Sequence, residues 1–279
     1  MQRLSLVIQG PGLTPGLAED AARLARSAAA EPVAPSAWRL RGAARSATLD
    51  AWCAAHRVDC AWVPEGRRFA ALRLLAIDMD STLITIECVD EIGALLGRKA
   101  AIAAITEEAM RGEIPYAESL ARRVALLAGL EETALEKVYR DTLTLSPGAE
   151  RLIEGCRSRG IRTLLVSGGF TFFTSRVQAR LGIDEAFANE LEIVDGKLSG
   201  RLRGAIVDAA AKAARFREVA ARFGLSKSQT LAVGDGANDL AMMAEAGVSV
   251  AWRAKPRVRA AATHALDFSD LDGVLNLYT

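Results

Sequence analysis

The hydrophobic pattern after residue 70 alternates short apolar runs with longer amphipathic stretches. A short run without polar interruption is typical of a strand buried on both faces of a parallel sheet. Stretches between the runs, such as Asp208–Phe223, have the spacing of helices. This alternation predicts an α/β domain over residues 71–279, with a doubly wound parallel sheet. The predicted strands are residues 74–77, 161–166, 230–233 and 248–252.

Two segments interrupt this alternation. Residues 88–143 are rich in Ala, Leu, Glu and Arg and carry few strand signals, with Pro115 and Gly129 as punctuation. We expect several helices there, packed as a bundle that forms a cap over the first strand end and excludes water. Residues 190–203 contain Asp195-Gly196 between strand-like flanks, which predicts a β-hairpin flap.

Residues 1–70 form a separate pattern, which predicts a small α+β module of unknown role. Strands are expected at 4–8, 38–41 and 59–63, and helices at 13–30 and 48–56. Pro32 and Pro35 are expected to end the first helix. In the larger domain, Ser146-Pro147 is a favourable N-cap and first-turn pair for a helix that runs to Arg159.

Composition excludes several classes of function. The chain has 279 residues with a net charge of +1, so no basic field gathers nucleic acid. No apolar run approaches the length of a membrane span, and Leu4–Ile8 is too short for the apolar core of a signal peptide. The four cysteines are scattered without a CxxC pair, which favours free thiols in a reducing compartment. We therefore expect a cytoplasmic protein with no nucleic-acid or membrane partner.

Polar residues follow three of the predicted strands. They are Asp78 and Asp80 after the first, the Ser167–Gly169 segment after the second, and Asp235 and Asp239 after the third. In a parallel sheet these strand ends meet at one edge, where open α/β sheets bind ligands. Glycines at a helix N-terminus can cradle an oxyanion, and carboxylates beside phosphate oxygens suit Mg²⁺.

Other interpretations of these loops are weaker but remain open. Each glycine-rich loop taken alone is more often a plain turn. Neither the GxxxxGK[ST] nor the GxGxxG phosphate motif occurs, which disfavours a P-loop ATPase or a dinucleotide-binding protein. The two histidines, His56 and His264, do not neighbour a motif, which disfavours zinc chemistry.

The ordered motifs DMDST, SGG, an isolated Lys and GDGAND resemble the haloacid dehalogenase (HAD) superfamily of phosphotransferases. The resemblance covers about residues 72–270 and is closer still to the phosphoserine phosphatase family. It includes ECVDEIG, ITEEAM and SLARRVALL in the predicted cap, and SGGFTFF, ANELEI, DGKLSG, KP and GDGANDL beyond it. It implies a HAD-like core with a helical-bundle cap. Residues 1–70 lie outside it.

The resemblance also implies roles for individual residues. Asp78 is the nucleophile, Asp80 the general acid and then base, and Lys212 the fixed cation on the transferring group. Mg²⁺ is held by the Asp78 carboxylate, the Asp80 backbone carbonyl and Asp235. The phosphoryl oxygens are bound by Ser167, Gly168 and Gly169. Asn238, counted among the substrate-binding residues, supports the magnesium site together with Asp239 from the first turn of the following helix. A surface location of Lys212 is the ordinary alternative, since lysines are mostly exposed.

Substrate selection is expected in the cap. The resemblance implies that Glu87 pairs with a substrate ammonium and that Arg123 binds its carboxylate through a bidentate fork. A surface salt bridge is the ordinary alternative for both residues. Arg122 is a neighbouring candidate for the same role, and Arg123 is preferred because it directly precedes Val-Ala-Leu-Leu, as in the family pattern.

The activity implied is that of a Mg²⁺-dependent phosphatase which hydrolyses O-phospho-L-serine through an aspartyl-phosphate in the last step of L-serine biosynthesis. The partner is therefore a small-molecule substrate, and the sequence leaves a homo-oligomer open. One alternative is transfer of the phosphoryl group to another small alcohol, such as homoserine. Another is a non-catalytic binding protein built on the same scaffold, which the intact Asp78, Asp80, Lys212 and Asp235 disfavour.

Overall fold

The computed structural model describes residues 3–278. Its larger sheet has seven strands: β5 (Leu74–Ile77), β6 (Arg162–Phe170), β7 (Glu185–Val194), β8 (Lys197–Arg203), β9 (Thr230–Gly234), β10 (Val248–Trp252) and β11 (His264–Leu266). Their order in the sheet is β11-β10-β9-β5-β6-β7-β8. β5 lies between β9 and β6 and is parallel to both, while β8 is antiparallel to β7. The α/β fold with a parallel-dominated sheet is thus confirmed.

Helices cover both faces of this sheet. Alternate residues of β5 belong to different core clusters: Leu75 and Ile77 pack on one face, and Leu74 and Ala76 on the other. Both faces of the strand are therefore buried from solvent, which explains its continuous apolar run. The helices on one face are α7 (Ala149–Arg157) and α8 (Thr171–Leu181). Those on the other face are α9 (Ala209–Arg222), α10 (Leu240–Glu245) and α11 (Pro256–Ala261).

The predicted helical cap lies between β5 and α7. The two segments that connect the cap to the sheet run side by side, since Ile84 forms an isolated antiparallel bridge with Leu145. The Thr85 N–H also donates to the Thr144 carbonyl at 3.0 Å. The cap helices are α3 (Cys88–Leu95), α4 (Lys99–Met110), α5 (Tyr116–Ala125) and α6 (Thr133–Asp141).

Strands β7 and β8 form the hairpin expected from Asp195-Gly196. Both turn residues have positive φ, 50° and 74°, which is the signature of a type I′ turn. The hairpin is joined to the cap by three backbone hydrogen bonds of 2.8 Å. They run from Gly129 N–H to the Leu198 carbonyl, from Leu198 N–H to the Leu130 carbonyl, and from Glu132 N–H to the Gly196 carbonyl. The flap and the cap are thus connected through their main chains.

The N-terminal module has a four-stranded antiparallel sheet in the order β2-β3-β1-β4. Its βαββαβ sequence of elements is ferredoxin-like. Leu6 and Ile8 pack under the two helices, whereas Val7, Ala61 and Val63 belong to the core cluster of the larger domain. The elements are β1 (Leu4–Gln9), α1 (Pro15–Leu24), β2 (Ala29–Ala34), β3 (Ala37–Arg41), α2 (Ala47–Ala55) and β4 (Asp59–Pro64).

Two local predictions are wrong. The first helix ends at Leu24, and the alanine-rich segment after it is strand β2, because pairing with β3 outweighs helix propensity. Helix α7 begins at Ala149, and its N-cap is Gly148 with φ 84°. A Cβ on Gly148 would lie 2.7 Å from the Asp272 nitrogen, so the chain makes a tight glycine turn there.

The boundary near residue 70 stays a prediction, and Met1, Gln2 and Thr279 of the two predicted domains lie outside the described residues. Among residues 3–278, no helix is both long and apolar enough to span a membrane.

Candidate active site

The three polar strand ends meet at one edge of the sheet, as expected. Asp78 follows β5, and Asp235 follows the neighbouring strand β9; the Asp78 N–H donates to the Val233 carbonyl at 3.1 Å. Asp239 stands in the short 3₁₀ turn Ala237–Asp239 after β9. Carboxylate oxygens of Asp78, Asp235 and Asp239 lie within 4.8 Å of one another. The sheet therefore gathers three acidic groups that are far apart in sequence.

Lys212 is the cation of this group. It projects from α9 with none of its surface exposed, and its Nζ donates to Asp78 Oδ1 at 2.5 Å and to Asp239 Oδ1 at 2.8 Å. Burial alone would lower the pKa of Lys212, but the charges of Asp239 and Asp78 outweigh it and raise the pKa. A buried ammonium of this kind is stable only with such partners, and the surface alternative for Lys212 is therefore wrong.

Asp80 faces the second strand end. Its Oδ1 accepts from the Cys88 N–H at 2.9 Å, and its Oδ2 accepts from the Ser167 hydroxyl at 3.2 Å. The Ser167 oxygen accepts in turn from the Gly169 N–H at 2.8 Å. Burial raises the pKa of Asp80. The Asp80 side chain thus points toward the Ser167–Gly169 segment, called here the Ser-Gly-Gly loop. This segment was expected after the strand, but it lies within β6, where the pairing of β6 with β7 shifts in register.

The glycines of the Ser-Gly-Gly loop are required by close approach. A Cβ on Gly168 would lie 2.2 Å from the Tyr116 hydroxyl, and one on Gly169 would lie 2.4 Å from Asp80 Oδ2. Asn189 of β7 fixes the loop from outside, because its Nδ2 donates to the Gly168 carbonyl at 2.8 Å. Any side chain at either glycine would displace groups of the site.

The acidic group has the donor chemistry of a divalent cation site. Burial and the charge of Asp239 raise the pKa of Asp78 and raise that of Asp235 to about 6. Three carboxylates around one ammonium leave an excess of negative charge, which a cation with hard oxygen ligands would offset. Thr82 orients one ligand, since its hydroxyl donates to Asp235 Oδ1 at 3.1 Å. The residues therefore fit Mg²⁺; the contact expected from the Asp80 carbonyl stays a prediction.

Glu87 and Arg123 are the two residues predicted to select the substrate. Glu87 precedes α3 and accepts from the Ser81 hydroxyl at 2.6 Å; burial and the charge of Asp80 raise its pKa to about 7. Arg123 is 9% exposed on the inner face of α5, whereas Arg122 pairs outside with Glu108 at 2.7 Å. The structure thus favours Arg123 over Arg122 as an inward-facing cation.

Several contacts of the site could not be found from sequence reasoning. Asn238 and Asp239 were expected to support the magnesium site. Asn238 lies half-buried in the 3₁₀ turn, and Asp239 makes a contact with Lys212 that was not expected. The GDGAND motif carries both residues, so it contained the signal for Asp239. The ANELEI motif carried Asn189. The DMDST and ECVDEIG motifs contain Thr82 and Cys88, but nothing in those motifs predicted their contacts. Tyr116 lies outside the quoted motifs.

Comparison with known proteins shows which family the chain belongs to. The sequence profile of the haloacid dehalogenase-like hydrolases matches residues 75–244. A phosphoserine phosphatase from a Polaromonas species is 53% identical over 215 residues, which are 75% of this chain and 91% of that protein. The chain therefore belongs to the haloacid dehalogenase-like hydrolases, within the phosphoserine phosphatase family.

Two solved structures extend the comparison. A probable phosphoserine phosphatase from Vibrio cholerae, in unliganded form, superposes with a TM-score of 0.85 and 35% identity, covering 98% of this chain and 85% of that one. A substrate-bound phosphoserine phosphatase superposes with a TM-score of 0.70 and 36% identity, covering 75% of this chain and 99% of the other. The first similarity includes the N-terminal module as well as the HAD-like core.

Proposed function

We propose that this protein is a Mg²⁺-dependent phosphatase that hydrolyses O-phospho-L-serine to L-serine and phosphate through an aspartyl-phosphate on Asp78. The observation that carries the proposal is the position of Asp78, buried among Lys212, Asp235 and Asp239 at the strand ends. Relatives named phosphoserine phosphatase support the choice of substrate.

The first step transfers the phosphoryl group to Asp78. One carboxylate oxygen attacks phosphorus, and the bond between phosphorus and the serine oxygen breaks. Asp80 gives its proton to that oxygen, so L-serine leaves as the neutral alcohol. Burial favours this step because it raises the pKa of Asp80 and keeps a larger share of its side chain protonated.

The second step regenerates the enzyme. Asp80, now a carboxylate, accepts a proton from a water molecule whose oxygen attacks phosphorus. The bond between phosphorus and Asp78 breaks, and inorganic phosphate is released. In both steps the N–H groups of the Ser-Gly-Gly loop and the Lys212 ammonium stabilise negative charge on the phosphoryl oxygens, the main protein contribution to phosphoryl transfer.

Asp78 and Asp235, with the Asp80 backbone carbonyl, would hold the magnesium ion. When bound, the ion supplies positive charge that reduces the repulsion between the Asp78 carboxylate and an anionic phosphate. Lys212 neutralises Asp239 and part of the charge on Asp78, which leaves Asp235 as the least compensated ligand. Asn238 supports this side of the site from the 3₁₀ turn.

Glu87 and Arg123 would select the amino acid. A carboxylate and a guanidinium match the ammonium and carboxylate of serine. Both groups project from the cap, which also shields the reacting atoms from water. Phosphate chemistry is thus assigned to the sheet edge and amino-acid recognition to the cap.

The test is phosphate release from a panel of phosphorylated amino acids and one aryl phosphate, with Mg²⁺ and with chelator. We expect fast release from O-phospho-L-serine and loss of activity with chelator. Preference for another phosphomonoester, or full activity in chelator, would contradict the proposal. Release that needs added homoserine would instead indicate transfer to an alcohol.

We assign the reaction to the last step of L-serine formation, because its product is the free amino acid. We also assign it to the cytoplasm. All four cysteines, Cys53, Cys60, Cys88 and Cys156, carry free thiols, which supports a reducing compartment.

A further inference from the structure

Tyr116 is a cap residue that touches the Ser-Gly-Gly loop. It is the first residue of α5, and its hydroxyl donates to the Gly168 carbonyl at 3.3 Å. The ring reaches this close because Gly168 has no side chain. Burial raises the pKa of Tyr116 to about 12, so the phenol is a neutral donor at the junction of the cap and the sheet edge.

The Gly168 carbonyl accepts from two sides. Tyr116 donates from the cap, and Asn189 Nδ2 donates from β7 at 2.8 Å. Asn189 is itself held, because its Oδ1 accepts from the Val207 N–H at 2.7 Å. The donor from β7 is therefore fixed to the core, while the donor from Tyr116 depends on the position of the cap.

A chain of hydrogen bonds leads from Gly168 to Asp80. The peptide unit between Gly168 and Gly169 is planar, so a donor on its carbonyl also orients its N–H. That N–H donates to the Ser167 oxygen at 2.8 Å, and the Ser167 hydroxyl donates to Asp80 Oδ2 at 3.2 Å. A shift of the Gly168 carbonyl is thus passed through one peptide plane and one hydroxyl to the general acid.

Tyr116 and Arg123 lie on the same helix face. They are seven residues apart on α5, two turns of an α-helix, or about 10 Å along its axis. Helix α5 therefore carries the proposed carboxylate ligand, Arg123, at one end and the contact to the Ser-Gly-Gly loop at the other. Because both residues lie on one helix, a substrate that moves Arg123 would also change the position of Tyr116 relative to Gly168.

We propose that Tyr116 is a positioning residue that couples closure of the cap on the amino-acid part of the substrate to the orientation of the Ser-Gly-Gly loop and Asp80. The inference rests on the proposed function, since it assigns the substrate carboxylate to Arg123. It predicts that the hydroxyl of Tyr116 matters for substrates that engage the cap and not for phosphate esters that do not.

The test uses Tyr116→Phe in the full-length protein, with O-phospho-L-serine and an aryl phosphate as substrates. We expect kcat for phosphoserine to fall about three- to tenfold, the usual range for one neutral hydrogen bond, with a smaller change in KM. Turnover of the aryl phosphate should stay within about twofold, as should both activities of the control Tyr139→Phe. Tyr139 is a cap tyrosine beside Arg176, and its variant removes the same atom elsewhere.

A second arm combines Tyr116→Phe with Arg123→Ala. If both residues act through closure of the cap, their effects on phosphoserine turnover should be less than additive in free energy. Unchanged kcat in Tyr116→Phe, equal losses on both substrates, or full additivity would overturn the coupling. Failure of the proposed function is distinct, because the wild-type protein would then show no preference for phosphoserine.

Discussion

Three charged side chains of the site are buried together, and each would be unstable without the others. Lys212 and Asp239 are fully buried, and Asp78 is 4% exposed. Each of these charges is stabilised by another within hydrogen-bonding distance, so removing one would leave its partner buried and uncompensated. The arrangement is costly for a merely structural network and is typical of a catalytic site.

Specificity is the first prediction at this scale. Glu87→Gln and Arg123→Ala should each lower kcat/KM for O-phospho-L-serine about 10- to 100-fold, the range of a charge-assisted hydrogen bond. An aryl phosphate has no ammonium or carboxylate, so its kcat/KM should change less than about threefold. Steady-state kinetics on both substrates measures the difference.

Arg122→Ala is the matched control, because Arg122 adjoins Arg123 but pairs with Glu108 on the outside of the cap. It should leave both substrates nearly unaffected. Equal losses on the two substrates in the Glu87 and Arg123 variants would refute the assigned recognition roles.

The location of single residues could be predicted from sequence where motif and strand order coincide. Asp78, Ser167 and Asp235 each follow an apolar run, and a parallel sheet brings such positions together. Tyr116 could not be found in this way, because its partner Gly168 is 52 positions away and belongs to another element. Only the docking of the cap on the sheet creates that contact.

At the scale of elements, the strands of the main sheet could be predicted from sequence, whereas strand β2 of the small module could not. β5 and β9 are buried on both faces, so their apolar runs have one plausible structure. β2 contains three alanines, a glutamate and a proline, and it is a strand only because β3 pairs with it. Tertiary context of that kind is absent from local sequence patterns.

Strand β11 supplies a prediction on pH. Its His264 is 6% exposed, and Arg67 contacts His264 Nε2 at 2.9 Å. Burial and the charge of Arg67 lower the pKa of His264 to about 4. The unfolded chain, with a pKa near 6.5, binds the proton more readily, so protonation favours unfolding. This contribution is complete above about pH 6.5 and is lost as the pH falls toward 4.

His264→Gln should therefore flatten the pH dependence of unfolding. The free energy of unfolding of the wild type should fall by up to about 3 kcal/mol more than that of the variant between pH 6.5 and 4. Urea titrations at several pH values measure this. His56→Gln, at the other histidine of the chain, is the control on an exposed site. Parallel pH curves for wild type and His264→Gln would contradict the assignment.

At the scale of the whole molecule, the N-terminal module is held to the larger domain by specific hydrogen bonds and not only by the connecting chain. The Asp59 carboxylate accepts from the backbone N–H groups of Asp267, Phe268 and Ser269 at 2.7, 3.1 and 2.8 Å. Arg39, 2% exposed, donates to the Tyr278 carbonyl at 3.0 Å. These contacts join β4 and β3 of the module to the C-terminal segment of the chain.

Asp59→Ala should destabilise the protein without changing its chemistry. It leaves three N–H groups without their charged acceptor, so we expect a loss of about 3 kcal/mol in the free energy of unfolding and turnover within about twofold. Asp50→Ala, at an exposed position of α2, is the control. Urea unfolding and phosphate release measure the two effects. Unchanged stability, or a large loss of turnover in a folded variant, would contradict this view of the interface.

The central claim is that Asp78 takes the phosphoryl group onto its carboxylate. The most direct measurement is acid quenching within the first turnover of O-phospho-L-serine labelled on phosphorus, followed by mapping of any labelled peptide. The account predicts label on Asp78 in the presence of Mg²⁺ and none in Asp78→Asn with its fold intact. Release of labelled phosphate at the wild-type rate by Asp78→Asn, or label on another residue, would contradict it.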